Sequence, residues 1–276
     1  MNDNTTTYAS MATGLLIPTM STLLSNSILP VESSSANLTY SLAFYGPAVS
    51  CAKSSEQDLA WATGALLEYE NTTGSTVYYW GWVPQAGWGP DVNGTFFQST
   101  NLQNGNIRLD FVSEDAARVY IYLNTTGIDI NGNRVPNSTP SQPEMITCAL
   151  YNASYTTYFD ISSTGQQLIT AEQQYMNWMP AKNSVSGTPT DPLVNRIMNT
   201  QAVMEAFGMM MMGPVTFSED VSFPVVDNNY ALSMNAAMWP SRPGLNQSEV
   251  AQYMIDQSEE LFQNITLSMR YAVVAG

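Results

Sequence analysis

The side chains that could do chemistry in this chain are its carboxylates, because the usual catalytic partners are missing. The 276 residues contain no histidine and only two cysteines, Cys51 and Cys148. Without histidine, Ser-His-Asp and Cys-His catalysis and His-ligated zinc are excluded, and two cysteines are too few for a four-cysteine zinc site. We therefore predict that the chain holds no metal and no cofactor.

Carboxylates alone leave one reaction class open, since a glycosidase needs only two of them. Glu68 lies near the predicted end of a helix and Glu219 in a predicted turn, where acids are ordinarily solvated. The prediction is accordingly that the chain is not an enzyme. The full set of candidate acids is Glu68 with Glu70, Asp110, Asp160, and Glu219 with Asp220.

A dense aromatic run is the second feature that could bind a ligand. Residues 78–82 read Tyr-Tyr-Trp-Gly-Trp, and Trp88 follows shortly after. Side chains alternate along a strand, so Tyr78, Trp80 and Trp82 should share one side, with Tyr79 on the other. That side is either part of the core or, together with Trp88, a platform that stacks on sugars or anchors a partner protein.

Asparagine sequons of the form N-x-Ser/Thr are about twice as frequent as the Asn, Ser and Thr content would produce by chance. In a secreted protein they mark surface positions that carry glycans. Charged residues make up only 11% of the chain, against roughly 25% in ordinary soluble domains, so glycans would supply the missing solubility. The predicted glycosylation sites are Asn4, Asn37, Asn71, Asn93, Asn124, Asn137, Asn152, Asn246 and Asn264.

The two cysteines bear on the cellular compartment. They lie 97 positions apart (148 − 51) and are either unrelated core thiols or, in an oxidising compartment, a disulfide pair. We predict the disulfide. A closed loop of this length would stabilise the fold by about 4–5 kcal/mol in the chain-entropy account.

The charge balance argues against nucleic acid and anionic lipid headgroups as partners. Eight Lys and Arg residues face 23 Asp and Glu residues, a net charge of −15, and no basic run occurs. Binding to nucleic acid depends on Lys and Arg that neutralise phosphates.

Targeting and membrane-spanning segments are not evident. Residues 1–4 have no basic stretch, residues 14–17 are too short for the apolar region of a signal peptide, and no run of about 18 apolar residues would span a bilayer. We expect the chain to be a fragment whose anchoring segments lie outside it. The apolar residues 271–276 would then be the start of a following membrane helix.

The elements that must position these side chains follow from hydrophobic periodicity. Together they predict an α+β fold, with a mainly antiparallel sheet in the middle of the chain and long helices toward both ends. Residues 1–35 should form an N-terminal helical, membrane-proximal segment, and residues 36–276 a single domain. The predicted helices are 8–29 (interrupted by Pro18), 55–70, 192–212 and 247–269; the predicted strands are 38–45, 76–83, 107–112, 118–123, 145–151 and 154–161, with a loop over 124–143.

Four segments resemble a group of ascomycete multi-pass membrane proteins that are often labelled formylmethionine deformylase-like. They read YGPAVSC (45–51), CALYNASYTTYFD (148–160), AFGMMMMG (206–213) and ELFQNITLSM (260–269). In that group, the segments occur in this order in one large extracellular domain between membrane helices. The deformylase label itself does not fit, because its metal site requires the histidines of an H-E-x-x-H helix.

The resemblance and the composition together predict a non-enzymatic, glycosylated ectodomain of a fungal cell-surface membrane protein. It would lie on the extracellular face of the plasma membrane or be secreted, and would meet the membrane only through segments outside this chain. Its role would be interaction or structural, with an unknown protein or a cell-wall glycan as partner. The alternative is a carbohydrate-binding or glycoside-active module that uses the aromatic platform.

Overall fold

A computed structural model describes residues 5–7, 13–25, 27–30, 38–82, 88–90, 96–98, 118–124, 142–162, 165–179, 184–186, 188, 190–218, 225–226 and 247–274. The helices in this part of the chain are α1 (Thr13–Ser25), α2 (Glu56–Thr73), α3 (Pro192–Met211) and α4 (Gln247–Val274). The strands are β1 (Thr5–Thr7), β2 (Leu38–Lys53), β3 (Ser75–Trp82), β4 (Trp88–Pro90), β5 (Phe96–Gln98), β6 (Arg118–Leu123), β7 (Glu144–Ser162), β8 (Gly165–Trp178), β9 (Ser184–Ser186), β10 (Gly213–Ser218) and β11 (Val225–Val226).

The main sheet is antiparallel and runs in the order β11-β10-β3-β6-β7-β2, with β8 also paired to β7. The 19-residue β7 organises it. One edge of β7 pairs with β2 along nearly its whole length. The other edge is divided, because β6 pairs with residues 144–149 and β8 with residues 151–162. The sheet therefore has a central part around β6 and a three-stranded extension formed by β2, β7 and β8.

Helices cover both faces of the central part. Alternate residues of β6 and β7, such as Ile121 and Cys148, pack in one cluster with side chains of α1, α3 and α4. The residues between them, such as Tyr122 and Met145, pack with α2. Alternation along the strands thus directs two apolar faces to two helical layers.

The α2 helix begins and ends at strong local signals. The hydroxyl of Ser55 accepts the amide N–H of Asp58 at 3.1 Å, and Gly74 closes the helix with φ of 65°. A Ser N-cap and a left-handed Gly C-cap satisfy backbone groups that the helix leaves open.

The α3 helix is the buried centre of the fold. It begins at Pro192, as predicted, with Asp191 as its N-cap, and residues 200–208 are all buried. It contacts α1, α4, β2, β3 and β6. Its second half is therefore enclosed by its neighbours, with Gln201 and Glu205 buried there as well.

The end of α3 approaches β3 at Gly81. A Cβ built at this glycine would lie 1.9 Å from the carbonyl oxygen of Met211. The phenol of Tyr79 donates to the same oxygen at 2.7 Å. Gly81 therefore interrupts the aromatic run because only glycine leaves room for this approach.

Strand β2 continues past Gly46-Pro47, where we predicted its end. The amide N–H of Cys51 bonds a side chain of α4, so odd-numbered residues of β2 direct their N–H away from β7. Pro47 is also odd-numbered, so its missing N–H removes no hydrogen bond between β2 and β7. Proline is tolerated in an edge strand for this reason.

The α+β class with its mainly antiparallel sheet and helices toward both ends is confirmed. The strands predicted at 145–151 and 154–161 are one continuous strand, β7. The strand predicted at 107–112 lies outside the described residues, as does most of the loop at 124–143. In the predicted segment 1–35, α1 packs into the main cluster through Leu23. The hydroxyl of Thr22 donates a hydrogen bond to the hydroxyl of Ser268 of α4 at 2.9 Å. None of the described helices combines the length and apolar character that a membrane span requires.

Candidate functional site

The disulfide joins the edge strand β2 to its neighbour β7. Cys51 and Cys148 are directly opposite each other in the β2–β7 register, with Cα atoms 4.0 Å apart and the sulfurs bonded. Their side chains are 8% and 0% exposed. The predicted pairing is confirmed, and it lies inside the main core cluster.

The aromatic run is part of the core, which corrects the platform interpretation. Tyr78, Trp80 and Trp82 are only 2%, 3% and 3% exposed. Trp80 and Trp82 pack against α2, while Tyr79 lies in the cluster on the other face. The reason is that α2 folds back over this part of the sheet. The side chain of Trp88 lies outside the described residues.

A register shift changes the predicted alternation at Tyr78. Thr216 of β10 pairs with Val77, but its neighbour Val215 pairs with Tyr79, so Tyr78 is the extra residue of a bulge. A bulge shifts the alternation by one position. Val77 therefore joins Trp80 and Trp82 against α2, although strict alternation would place it with Tyr79.

Glu70 serves the backbone. Its carboxylate accepts the amide N–H of Val77 at the start of β3. Burial raises the pKa of Glu70 and the hydrogen bond from Val77 opposes the rise. Burial raises the pKa of the Tyr122 phenol, and the charge of Glu70 raises it further. Hydrogen bonds with the side chains of Thr63 and Asn124 oppose this rise. A carboxylate in this setting holds α2 to the sheet.

The other candidate acids do not assemble into a described pair. Asp160 is half-buried on β7, opposite Thr39. Asp110, Glu219 and Asp220 lie outside the described residues, as does the side chain of Glu68. Within the part of the chain that is described, no group of three or more Cys, Asp or Glu side chains is placed to hold a metal ion.

The described sequons differ sharply in accessibility. Asn71 is exposed at the end of α2, whereas Asn124 and Asn152 are half-buried. Asn264 is 7% exposed on α4, and the hydroxyl of its sequon, on Thr266, donates to the carbonyl of Pro47 at 3.0 Å. A glycan does not fit at Asn264, so the glycosylation prediction for that position is withdrawn. The sequons at Asn4, Asn37, Asn93, Asn137 and Asn246 lie outside the described residues.

A polar cluster that the sequence did not indicate joins α4 to the edge of the sheet. Glu259 accepts the N–H of Cys51 at 2.7 Å, and the phenol of Tyr175 donates to the carbonyl of Val49 at 2.8 Å. Burial raises the pKa of Glu259, the bond from Cys51 lowers it, and the charge of Asp256 raises it further. Glu259 thus covers an edge N–H beside the disulfide that would otherwise be open to another strand.

The three-stranded extension has one covered and one open face. Odd-numbered residues of β7, such as Tyr155 and Phe159, are buried and stack on Phe44 and Tyr40 of β2. Even-numbered residues and their partners point to solvent. This second surface, which we call the open face, consists of Thr39, Ser41, Ala43 and Tyr45 of β2, Asn152, Ser154, Thr156, Tyr158 and Asp160 of β7, and Thr170, Glu172, Gln174, Met176 and Asn177 of β8.

The open face combines polar side chains with exposed apolar surface. Hydroxyls and amides predominate, and its described carboxylates are the half-buried Asp160 and the exposed Glu172. Tyr45, Tyr158 and Met176 are 64%, 47% and 52% exposed. Rings and thioethers amid hydroxyls and amides offer apolar contact together with hydrogen bonds. A signal for this surface was present in residues 38–45, where small polar residues alternate with apolar ones.

No protein-family model, curated protein or solved structure is significantly similar to this chain. Its function must therefore be argued from its own residues.

Proposed function

We propose that this chain is a disulfide-bonded, N-glycosylated extracellular domain of a fungal cell-surface membrane protein, with an interaction or structural role. The observation that carries the proposal is the Cys51–Cys148 bond between directly opposed residues of β2 and β7. Structural disulfides form and persist in oxidising compartments and are rare in the cytosol. The fungal origin and the membrane anchor rest on the resemblance of residues 45–51, 148–160, 206–213 and 260–269.

Surface chemistry supports an extracellular location. Only 11% of the residues are charged, and the open face owes its polarity mainly to hydroxyls and amides. Such a surface is well suited to carrying glycans, which add solubility without charge. Asn71 supplies an accessible sequon on α2.

Two half-buried acids that could have served catalysis bind the backbone instead, which favours an interaction role. Glu70 accepts from the backbone of β3, and Glu259 accepts from the backbone of β2. All four aromatic residues of the run 78–82 are core residues. Among the described surfaces, the open face offers the apolar contact and hydrogen bonds that a protein or a glycan would use.

Peptide mapping by mass spectrometry tests the compartment. The chain is expressed through a fungal secretory pathway and digested without reduction, before and after enzymatic removal of N-glycans. We expect one peptide pair linked through Cys51 and Cys148, and glycan at Asn71. An Asn71→Gln variant should lose that glycan alone and keep the disulfide. Secreted protein with free thiols and bare sequons would contradict the proposal.

A further inference from the structure

The open face exposes three large side chains that carry apolar surface. Tyr45, Tyr158 and Met176 project from three adjacent strands into solvent. Exposed apolar groups gathered on one face mark a surface that something else contacts.

A sequon lies in the middle strand of this face. Asn152 and its sequon hydroxyl, Ser154, are both even-numbered residues of β7 and therefore lie on the open face. Tyr45 is directly opposite Ser154 in the neighbouring strand. On the other side, the Asn152 side-chain nitrogen donates to the sulfur of Met176 at 3.9 Å. A thioether is a weak acceptor, so the amide is held only loosely by this contact.

We propose that Asn152 carries an N-linked glycan whose first sugars lie over the open face, against Tyr45 and Met176. The proposal rests on the extracellular location proposed above. In the transfer, the Asn152 amide nitrogen bonds to C1 of the sugar of a lipid-diphosphate-linked oligosaccharide. The C1–oxygen bond to the diphosphate breaks, and the amide releases one proton.

The chemistry of the surface matches this occupant. Sugar rings have apolar C–H faces that pack on aromatic rings and thioethers, and hydroxyls that bond neighbouring polar groups. Ser154, Thr156 and Gln174 supply those polar groups. A second copy of the chain is disfavoured as occupant, because each copy carries a net charge of −15 and like charges repel.

Asn71 provides the matched control. It lies in the last turn of α2, away from the strands of the open face, and its side chain is exposed. Its glycan would leave the open face uncovered. Trp178 is an internal reference, because it pairs with the odd-numbered Tyr151 on the opposite face and is 47% exposed.

The experiment compares the natural chain with Asn152→Gln and Asn71→Gln, all secreted from a yeast host. Glycan occupancy is measured at each sequon, and oxidation of Tyr45, Met176 and Trp178 by hydroxyl radicals is quantified by mass spectrometry. We expect glycan at Asn152. Oxidation of Tyr45 and Met176 should rise several-fold in Asn152→Gln and stay unchanged in Asn71→Gln, with Trp178 constant in all three.

The outcomes separate this inference from the proposed function. Glycan at Asn71 with a bare Asn152 overturns the inference and leaves the extracellular assignment intact. Glycan at Asn152 without protection of Tyr45 and Met176 overturns the covering of the open face. Protection that persists in Asn152→Gln, together with a dimeric mass in solution, would identify a second copy as the occupant. Bare sequons throughout, with free thiols, would remove the proposed function itself.

Discussion

Replacing Gly81 with alanine should destabilise the fold by about 2–4 kcal/mol. The new Cβ would lie 1.9 Å from the carbonyl oxygen of Met211, where ordinary contact begins near 3.4 Å. The end of α3 must then move away from β3 by more than an ångström. Overpacking of this kind typically costs about 1–3 kcal/mol. The hydrogen bond from Tyr79 to the same carbonyl, worth about 1 kcal/mol, is strained or lost as well.

The matched control is Gly64→Ala, in the middle of α2. A Cβ at Gly64 meets nothing within 4 Å. Alanine favours a helix interior over glycine by about 0.5–1 kcal/mol, so this variant should be more stable than the natural chain. The same substitution therefore has opposite signs at two positions.

Urea denaturation followed by tryptophan fluorescence measures both effects, since Trp80 and Trp82 are buried beside Gly81. The unfolding midpoint should fall for Gly81→Ala and rise for Gly64→Ala, with equal slopes. A loss below about 0.5 kcal/mol for Gly81→Ala, the range of neutral surface changes, would refute the close approach of α3 to β3.

Three further predictions address the disulfide, the half-buried acid and the buried sequon. The double variant Cys51→Ala/Cys148→Ala should lose about 4–5 kcal/mol of unfolding free energy and show a steeper urea slope, because its unfolded state expands. The control variant Val49→Ala/Leu150→Ala, in the same core, should lose stability without a change of slope. Equal urea slopes for the two variants would contradict the cross-link. Burial raises the pKa of Glu259 above its ordinary value of 4.5, so the folded state binds this proton more tightly, and the contribution of Glu259 to stability declines as pH rises from that value through the raised pKa. As pH rises above 4.5, Glu259→Gln should therefore lose less unfolding free energy than the natural chain loses. Urea denaturation at each pH measures this, and parallel profiles of the two proteins would count against the assignment. Asn264→Gln should lower the unfolding free energy by about 1–3 kcal/mol through overpacking and leave the glycan mass unchanged. Asn71→Gln should remove one glycan without a loss of stability. Loss of a glycan from Asn264→Gln would show that α4 is not packed as described.

Local signals in the sequence predicted the helices well. Ser55 with Asp58, and Asp191 with Pro192, mark helix starts within four residues, and both helices begin there. The glycine at Gly74 ends α2 for an equally local reason. Such boundaries are encoded by neighbouring residues, so they can be read without knowing what the helix packs against.

Strand β8 was not predicted, because its sequence carries little periodic signal. Residues 165–178 are rich in glutamine, and their polar side chains are tolerated because the strand has one open face. Its place in the sheet depends on pairing with β7, which is itself one strand where two were predicted. Pairing across the sheet decided both features.

The amino-acid sequence by itself determined the absence of histidine chemistry, the α+β class, the helix starts and the choice of Cys148 as the partner of Cys51. Tertiary structure alone decided which surfaces are available. Trp80 and Trp82 are buried because α2 folds over them, Asn264 is buried because α4 packs on β2, and the open face exists because no helix covers it in the described residues. Burial depends on partners that are distant in the chain, and no local pattern of residues encodes them.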